Sequence, residues 1–210
     1  MRRDAYDFWL FDLDGTVVDV ERSYARSVVG RVGDRLGVSI SGAEADRLWW
    51  GAGGARAAVL DGLGVAPERF WATFHEVEEP LARAESTYVY DDAARFLAGL
   101  DAPTGLVTHC QDYLTDPVLS YHDIGDWFDA VVCCSEETGW KPDPTPVELA
   151  MSDLAVGLGD QSGALAGDNT SDVGAAWNAG LDAVHVERSD PLQRGHCVLG
   201  DHRVEAFDEL

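Results

Sequence analysis

The sequence predicts an α/β chain, a doubly wound parallel sheet carrying a small helical insert directly after its first strand. Three observations carry that expectation. Short apolar runs alternate with helical patterns at intervals of about 20–35 residues, the rhythm of βαβ units. Polar residues suited to chemistry stand at the ends of successive runs. About ninety residues separate the first run from the second, far more than one crossover needs.

The first run, DFWLF at residues 7–11, is apolar at consecutive positions, as in a parallel strand buried on both faces. Residues 20–36, 43–50, 55–63 and 67–85 then show helical periodicity, punctuated by Gly37, Gly42, Gly51–Gly54 and Gly64–Pro67. They define an insert over residues 18–86, leaving 1–17 and 87–210 for the sheet domain. In an open α/β sheet the ligand crevice lies outside the carboxyl ends of the strands, so an insert leaving there is expected to act as a lid. Further strands are expected at TGLVT (104–108), DAVVCC (129–134), GALAGD (163–168) and DAVHVE (182–187). Helices are expected at 91–100, 147–158 and 171–180, and the tail supplies a last edge element.

Size and composition bound the rest. The 210 residues are 46% hydrophobic and include seven tryptophans, enough for a packed core. No apolar run reaches the eighteen residues of a membrane span. Acids interrupt the N-terminal stretch MRRDAYDFWLFDLDGT, so a secretion signal is not expected and the protein is placed in the cytoplasm. Cys110, Cys133, Cys134 and Cys197 show no CxxC spacing and read as reduced, packing thiols. The formal charge of −23 excludes nucleic acid as a partner, because phosphate backbones need clustered cations. The field would also repel an anionic substrate at low salt. Acidity with almost no lysine points to a salt-rich cytoplasm, since at about 1 M salt the Debye length falls to about 3 Å. Neither membrane nor oligomeric partner is indicated.

The strand ends carry the chemistry. The first is followed by Asp12-Leu13-Asp14-Gly15-Thr16, the second ends in Thr108, the loop after the third holds Lys141, and the fourth ends in Gly167-Asp168 with Asp172 four residues on. Carboxylates at i and i+2 of an extended segment face the same way, and Gly15 permits a sharp turn beside them. Acids converging on one crevice need a cation between them, and an oxygen-only donor set suits Mg²⁺. Lys141 is the sole lysine, every other basic side chain being arginine. Its compact ammonium supplies a point charge with three donors, which a planar guanidinium does not reproduce. A hard cation, an ammonium and a hydroxyl around an aspartate form a receptor for a phosphoryl group.

The stretches FDLDGT, LVTH, WKPDP and GDNTSD resemble, in order, the four signature motifs of the haloacid dehalogenase (HAD) superfamily, and DVGAAWNAG resembles the helix that follows the fourth. The resemblance spans almost the whole chain and implies a Rossmann-like core with an α-helical cap. It implies a Mg²⁺-dependent phosphatase for a small phosphorylated metabolite, similar to the phosphoglycolate phosphatase-like members. Asp12 would be the nucleophile that becomes an aspartyl-phosphate. Asp14 would protonate the leaving oxygen and then activate water. Thr108 and Lys141 would hold the phosphoryl oxygens. Asp12, the backbone carbonyl of Asp14, and Asp168 would bind the metal, with Asp172 acting through a water or an outer contact.

One departure is His109, where the family often has Asn after the second-motif Thr or Ser; it could touch the phosphate or merely line the site. In the insert, Trp49-Trp50 precedes GAGGAR, which reads either as packing and a turn or as a loop whose Arg56 recognises a substrate anion. The remaining histidines show no ligand spacing. Asp14 argues against a dehalogenase, which lacks it. A phosphosugar mutase of the same superfamily shares all four motifs and stays open. A non-enzymatic, receiver-like phospho-acceptor uses similar residues, but in another order and without a long insert.

Overall fold

The computed structural model describes residues 3–51, 53–157, 160–189 and 198–210, and every statement of structure below refers to these. In chain order the elements are β1 (Phe8–Phe11), β2 (Val18–Val20), α1 (Arg22–Leu36), α2 (Gly42–Trp50), α3 (Gly53–Leu63), α4 (Pro67–Val77) and α5 (Pro80–Glu85). They continue with β3 (Thr87–Val89), α6 (Asp91–Leu97), β4 (Thr104–Thr108), α7 (Asp112–Tyr121), β5 (Ala130–Cys133), α8 (Thr145–Asp153), β6 (Gly163–Gly167), α9 (Thr170–Asn178), β7 (Asp182–Val186) and β8 (His202–Val204).

Six strands form one sheet in the order β5-β4-β1-β6-β7-β8, and all neighbouring pairs are parallel. The expected doubly wound α/β fold is therefore present. From β1 the chain builds outward through β4 and β5, then crosses back to add β6, β7 and β8 on the other side. The switch of direction falls beside β1, which places the carboxyl ends of β4, β1 and β6 around one crevice.

Strand β1 is fully buried on both faces. Phe8 and Leu10 join a core with Val107, Leu165, Val147 and Val173. The rings of Trp9 and Phe11 face the other side and meet Phe96 at centroid separations of 5.1 and 6.3 Å, and Phe11 also meets Phe207 at 5.9 Å. Burying each such side chain contributes roughly 1.5–3 kcal/mol. The adjacent strands make room for these bulky residues. Phe8 is in register with Gly163, where a Cβ would lie 2.1 Å from the Phe8 ring, so the glycine of GALAG is a packing requirement.

The chain divides into two compact units, one comprising the sheet and its flanking helices and the other centred on Val20–Thr87. The second unit has its own core, in which Val28, Val29 and Val32 of α1 pack with Leu48, Leu60 and Phe70. Residues 67–85 form two helices rather than the single helix expected. Glu78 and Glu79 are extended before Pro80, because a proline disfavours helical backbone at the residue before it. Two features were absent from the sequence expectation: the two-stranded β2–β3 sheet, and α7, which contains Pro117. Cys110, Cys133 and Cys134 are free thiols as expected; Cys197 lies outside the described residues.

Candidate active site

The carboxyl ends of three central strands and two loops supply the site. Asp12 follows β1, and its N–H donates to the Ala166 carbonyl at 2.8 Å, extending the β1–β6 ladder by one step. Asp168 follows β6. Asp172 sits in the first turn of α9, where its Oδ2 accepts the Asn169 N–H at 2.8 Å, so the helix start fixes its carboxylate. Asp12, Asp168 and Asp172 each offer an oxygen within 4.8 Å of the others. Asp14 is half-buried, and its carboxylate is not part of that group of three.

Lys141 reaches this cluster from the loop after β5. That loop is closed by the Ser135 N–H donating to Thr138 Oγ1 at 2.8 Å and the Gly139 N–H donating to the Ser135 carbonyl at 2.9 Å. The Asn178 side chain ties its far end to α9 by donating to the Pro142 carbonyl at 2.9 Å. Lys141 Nζ donates to Asp12 Oδ1 at 2.7 Å and to the Val107 carbonyl at 2.8 Å, and lies 2.6 Å from Asp172 Oδ1. Its side chain is 1% exposed. Two hydrogen bonds and a further ion pair at one buried point suit the compact charge of an ammonium, which accounts for the one lysine of the chain.

The electrostatics of the cluster are tightly coupled. Burial pushes the Asp12 carboxyl upward, Lys141 pulls it down, and Asp172 and Asp168 push it up again, leaving it raised. Burial by itself would lower Lys141, but Asp12 and Asp172 outweigh it and hold the ammonium charged. With all three carboxylates ionised against one ammonium, the cluster carries a double negative excess, which a divalent cation would cancel.

The residues fit such an ion. The donors are all carboxylate oxygens, as hard cations prefer, and the turn beside them is shaped to spare that space. Gly15 has φ +79°, a conformation that favours glycine, and a Cβ there would stand 2.5 Å from Asp168 Oδ2.

Thr108 ends β4 and is 1% exposed. Its Oγ1 accepts the Cys110 N–H at 3.0 Å, which leaves the hydroxyl hydrogen available to donate. His109 is exposed, and its ring lies 5.6 Å from that of Trp140, the residue before Lys141. Arg56 belongs to the helical unit. There it donates to the Trp49 carbonyl at 2.7 Å and stacks 5.6 Å from the Trp71 ring. The Val107 carbonyl and Trp140 were missed. A backbone oxygen leaves no trace in a sequence, whereas Trp140 adjoins the lysine and its neighbourhood was legible.

Fold and site together define an α/β protein whose buried acid cluster and ammonium meet at the switch point of a parallel sheet. The model of the haloacid dehalogenase-like hydrolase family matches residues 9–186, and the chain belongs to that family. It is 32% identical to a phosphoglycolate phosphatase of Pseudomonas putida over 190 residues, covering 83% of this chain and 67% of that protein. It is 27% identical to an N-acetylmuramic acid 6-phosphate phosphatase of the same organism, covering 93% and 92%. Among solved structures, a HAD-superfamily hydrolase from Geobacter sulfurreducens has a TM-score of 0.71 at 17% identity, covering 98% of this chain and 97% of that one. At that identity the likeness concerns the fold.

Proposed function

We propose that this chain is a Mg²⁺-dependent phosphatase that hydrolyses a small-molecule phosphomonoester through a phosphorylated Asp12. The observation that carries the reading is the buried arrangement of Asp12, Lys141 and the acid cluster, with Lys141 Nζ 2.7 Å from the carboxylate that would attack. The names of the relatives at 32% and 27% identity support a phosphorylated metabolite as substrate.

In this reading Asp12 attacks phosphorus and its carboxylate oxygen forms the new P–O bond as the ester P–O bond breaks. Asp14, two residues on and half-buried, gives its proton to the departing oxygen. It then takes one from the water that cleaves the acyl phosphate, help worth about 10²–10⁴-fold. Lys141 and the Thr108 hydroxyl hold phosphoryl oxygens, Lys141 by turning a donor from its carboxylate contacts to the phosphate, and Thr108 through the hydroxyl hydrogen that its acceptor role leaves available. Asp12, Asp168 and Asp172 would hold the magnesium ion, which when bound offsets the negative charge of nucleophile and phosphate. No described helix is long and apolar enough to cross a membrane. The charge of −23 supports a salt-rich working medium, where a melting temperature rising from low to molar salt is expected.

Turnover of p-nitrophenyl phosphate and a panel of phosphorylated metabolites, with Asp12→Asn as blank, tests the reading. Multiple turnovers with free phosphate as product are expected. Transfer that stops after one equivalent would indicate a phospho-acceptor instead, and an isomerised phosphosugar would indicate a mutase.

A further inference from the structure

The turn that carries Asp14 is gripped from outside the acid cluster. Arg188 follows β7, and its side chain is 8% exposed. Nη2 donates to the Thr16 carbonyl at 2.9 Å, and Nη1 donates to Asp92 Oδ2 at 2.8 Å. The guanidinium carbon lies 4.0 Å from the centre of the Tyr90 ring and 5.5 Å from that of Phe207. Asp92, in the first turn of α6, also accepts the Phe207 N–H at 2.7 Å through the same oxygen. Tyr90 completes the grip, its N–H donating to the Val17 carbonyl at 3.0 Å and its hydroxyl to Asp19 Oδ2 at 2.9 Å.

Thr16, Val17 and Asp19 are thus fastened to one partly buried node built from residues distant in sequence. Inside the turn, the N–H groups of Val17 and Val18 both donate to the Leu13 carbonyl, at 2.9 and 3.0 Å. Asp14 and Gly15, the latter at φ +79°, lie inside that closed turn, and the Gly15 N–H donates to the Val18 carbonyl at 2.7 Å. Where Thr16 is held therefore decides where Asp14 points. Two separate guanidinium nitrogens serve the carboxylate and the carbonyl while the guanidinium lies against the Tyr90 ring, an arrangement that the single nitrogen of an ammonium does not reproduce.

We propose that Arg188 is a positioning residue for Asp14, fixing the turn that carries the proton donor by clamping the Thr16 carbonyl against Asp92. The inference rests on the reading of Asp14 as the acid that protonates the leaving oxygen. When that oxygen departs as a nitrophenolate it is stable without the proton. An alkyl ester expels an alkoxide and needs the proton delivered as the P–O bond breaks. Misplacing the donor therefore harms poor leaving groups selectively, whereas a merely structural loss harms all esters alike.

The test is kcat/KM across a series of aryl and alkyl phosphates, since this ratio reports the step in which Asp12 is phosphorylated. Asp14→Asn, Arg188→Met, Arg188→Lys and the wild type are compared. Arg188→Met is expected to lose about 10²-fold on alkyl phosphates, the scale of a misplacement of about 1 Å, and far less on p-nitrophenyl phosphate. Its dependence on leaving-group basicity then steepens in the same direction as that of Asp14→Asn. Arg188→Lys, which keeps the charge beside Asp92, is expected to fall between and carries the test if the methionine variant does not fold. A steep Asp14→Asn profile with a uniform loss, or none, in the Arg188 variants overturns the inference alone. A flat Asp14→Asn profile overturns the reading of Asp14 and the inference with it.

Discussion

Replacing Lys141 by methionine removes one charge from a point where three acceptors converge at 2.6–2.8 Å. Methionine fills similar volume, so the change is electrostatic rather than a cavity. What remains is a pair of nearly dry carboxylates, Asp12 at 7% and Asp172 at 2% exposure, facing the vacated place. Breaking a buried pair by removing one partner costs about 3–5 kcal/mol. For a chain of this size, each kcal/mol lowers Tm by about 2–4 °C. A fall of roughly 6–20 °C at pH 7.5 without divalent cation therefore follows.

The sign with pH is fixed by the carboxylates. Asp12 is already raised in the folded protein, and loss of the ammonium raises it further. The folded variant then binds protons more readily than the unfolded chain, so its stability recovers as pH falls. The deficit relative to wild type should shrink between pH 7.5 and 5.5, and shrink again when a divalent cation is added. Thermal melts followed by circular dichroism at both pH values, with and without Mg²⁺, read this directly. An unchanged Tm, or a deficit indifferent to both pH and metal, would refute the electrostatic account of the cluster.

Two further outcomes follow from other parts of the molecule. Gly15→Ala should cost about 1–2 kcal/mol from the left-handed backbone alone. It should also lower the apparent affinity for Mg²⁺, because the new methyl would stand 2.5 Å from Asp168 Oδ2; a metal titration of activity checks this. In the helical unit, burial lowers the pKa of His75, so below its ordinary value near 6.5 the unfolded chain binds the proton more readily. The stability it contributes is present above that pH and is lost as pH falls. His75→Gln should flatten the decline in Tm between pH 7 and 5.5, and identical slopes would contradict it.

How much of this was legible depends on where the information lies. The strands of the sheet showed as consecutive apolar residues because parallel strands buried on both faces leave no alternation to read. The acids at the ends of β1 and β6 showed because side-chain chemistry at a strand end is local in sequence. By contrast, β2 and β3 are three residues each, too short for a period to emerge, and the proline inside α7 breaks the pattern that would announce a helix. The Val107 carbonyl that receives Lys141 has no sequence signature. Thr16 and Arg188 stand 172 positions apart, and only the fold brings them together.

The claim on which the rest depends is that the Asp12 carboxylate forms a covalent bond to phosphorus. Acid quench during turnover of a ³²P-labelled phosphomonoester, followed by peptide mapping, measures it most directly. Label on the peptide containing Asp12, lost in Asp12→Asn, is the predicted result. Sustained hydrolysis with no label on that peptide, or with label on another residue, would contradict it.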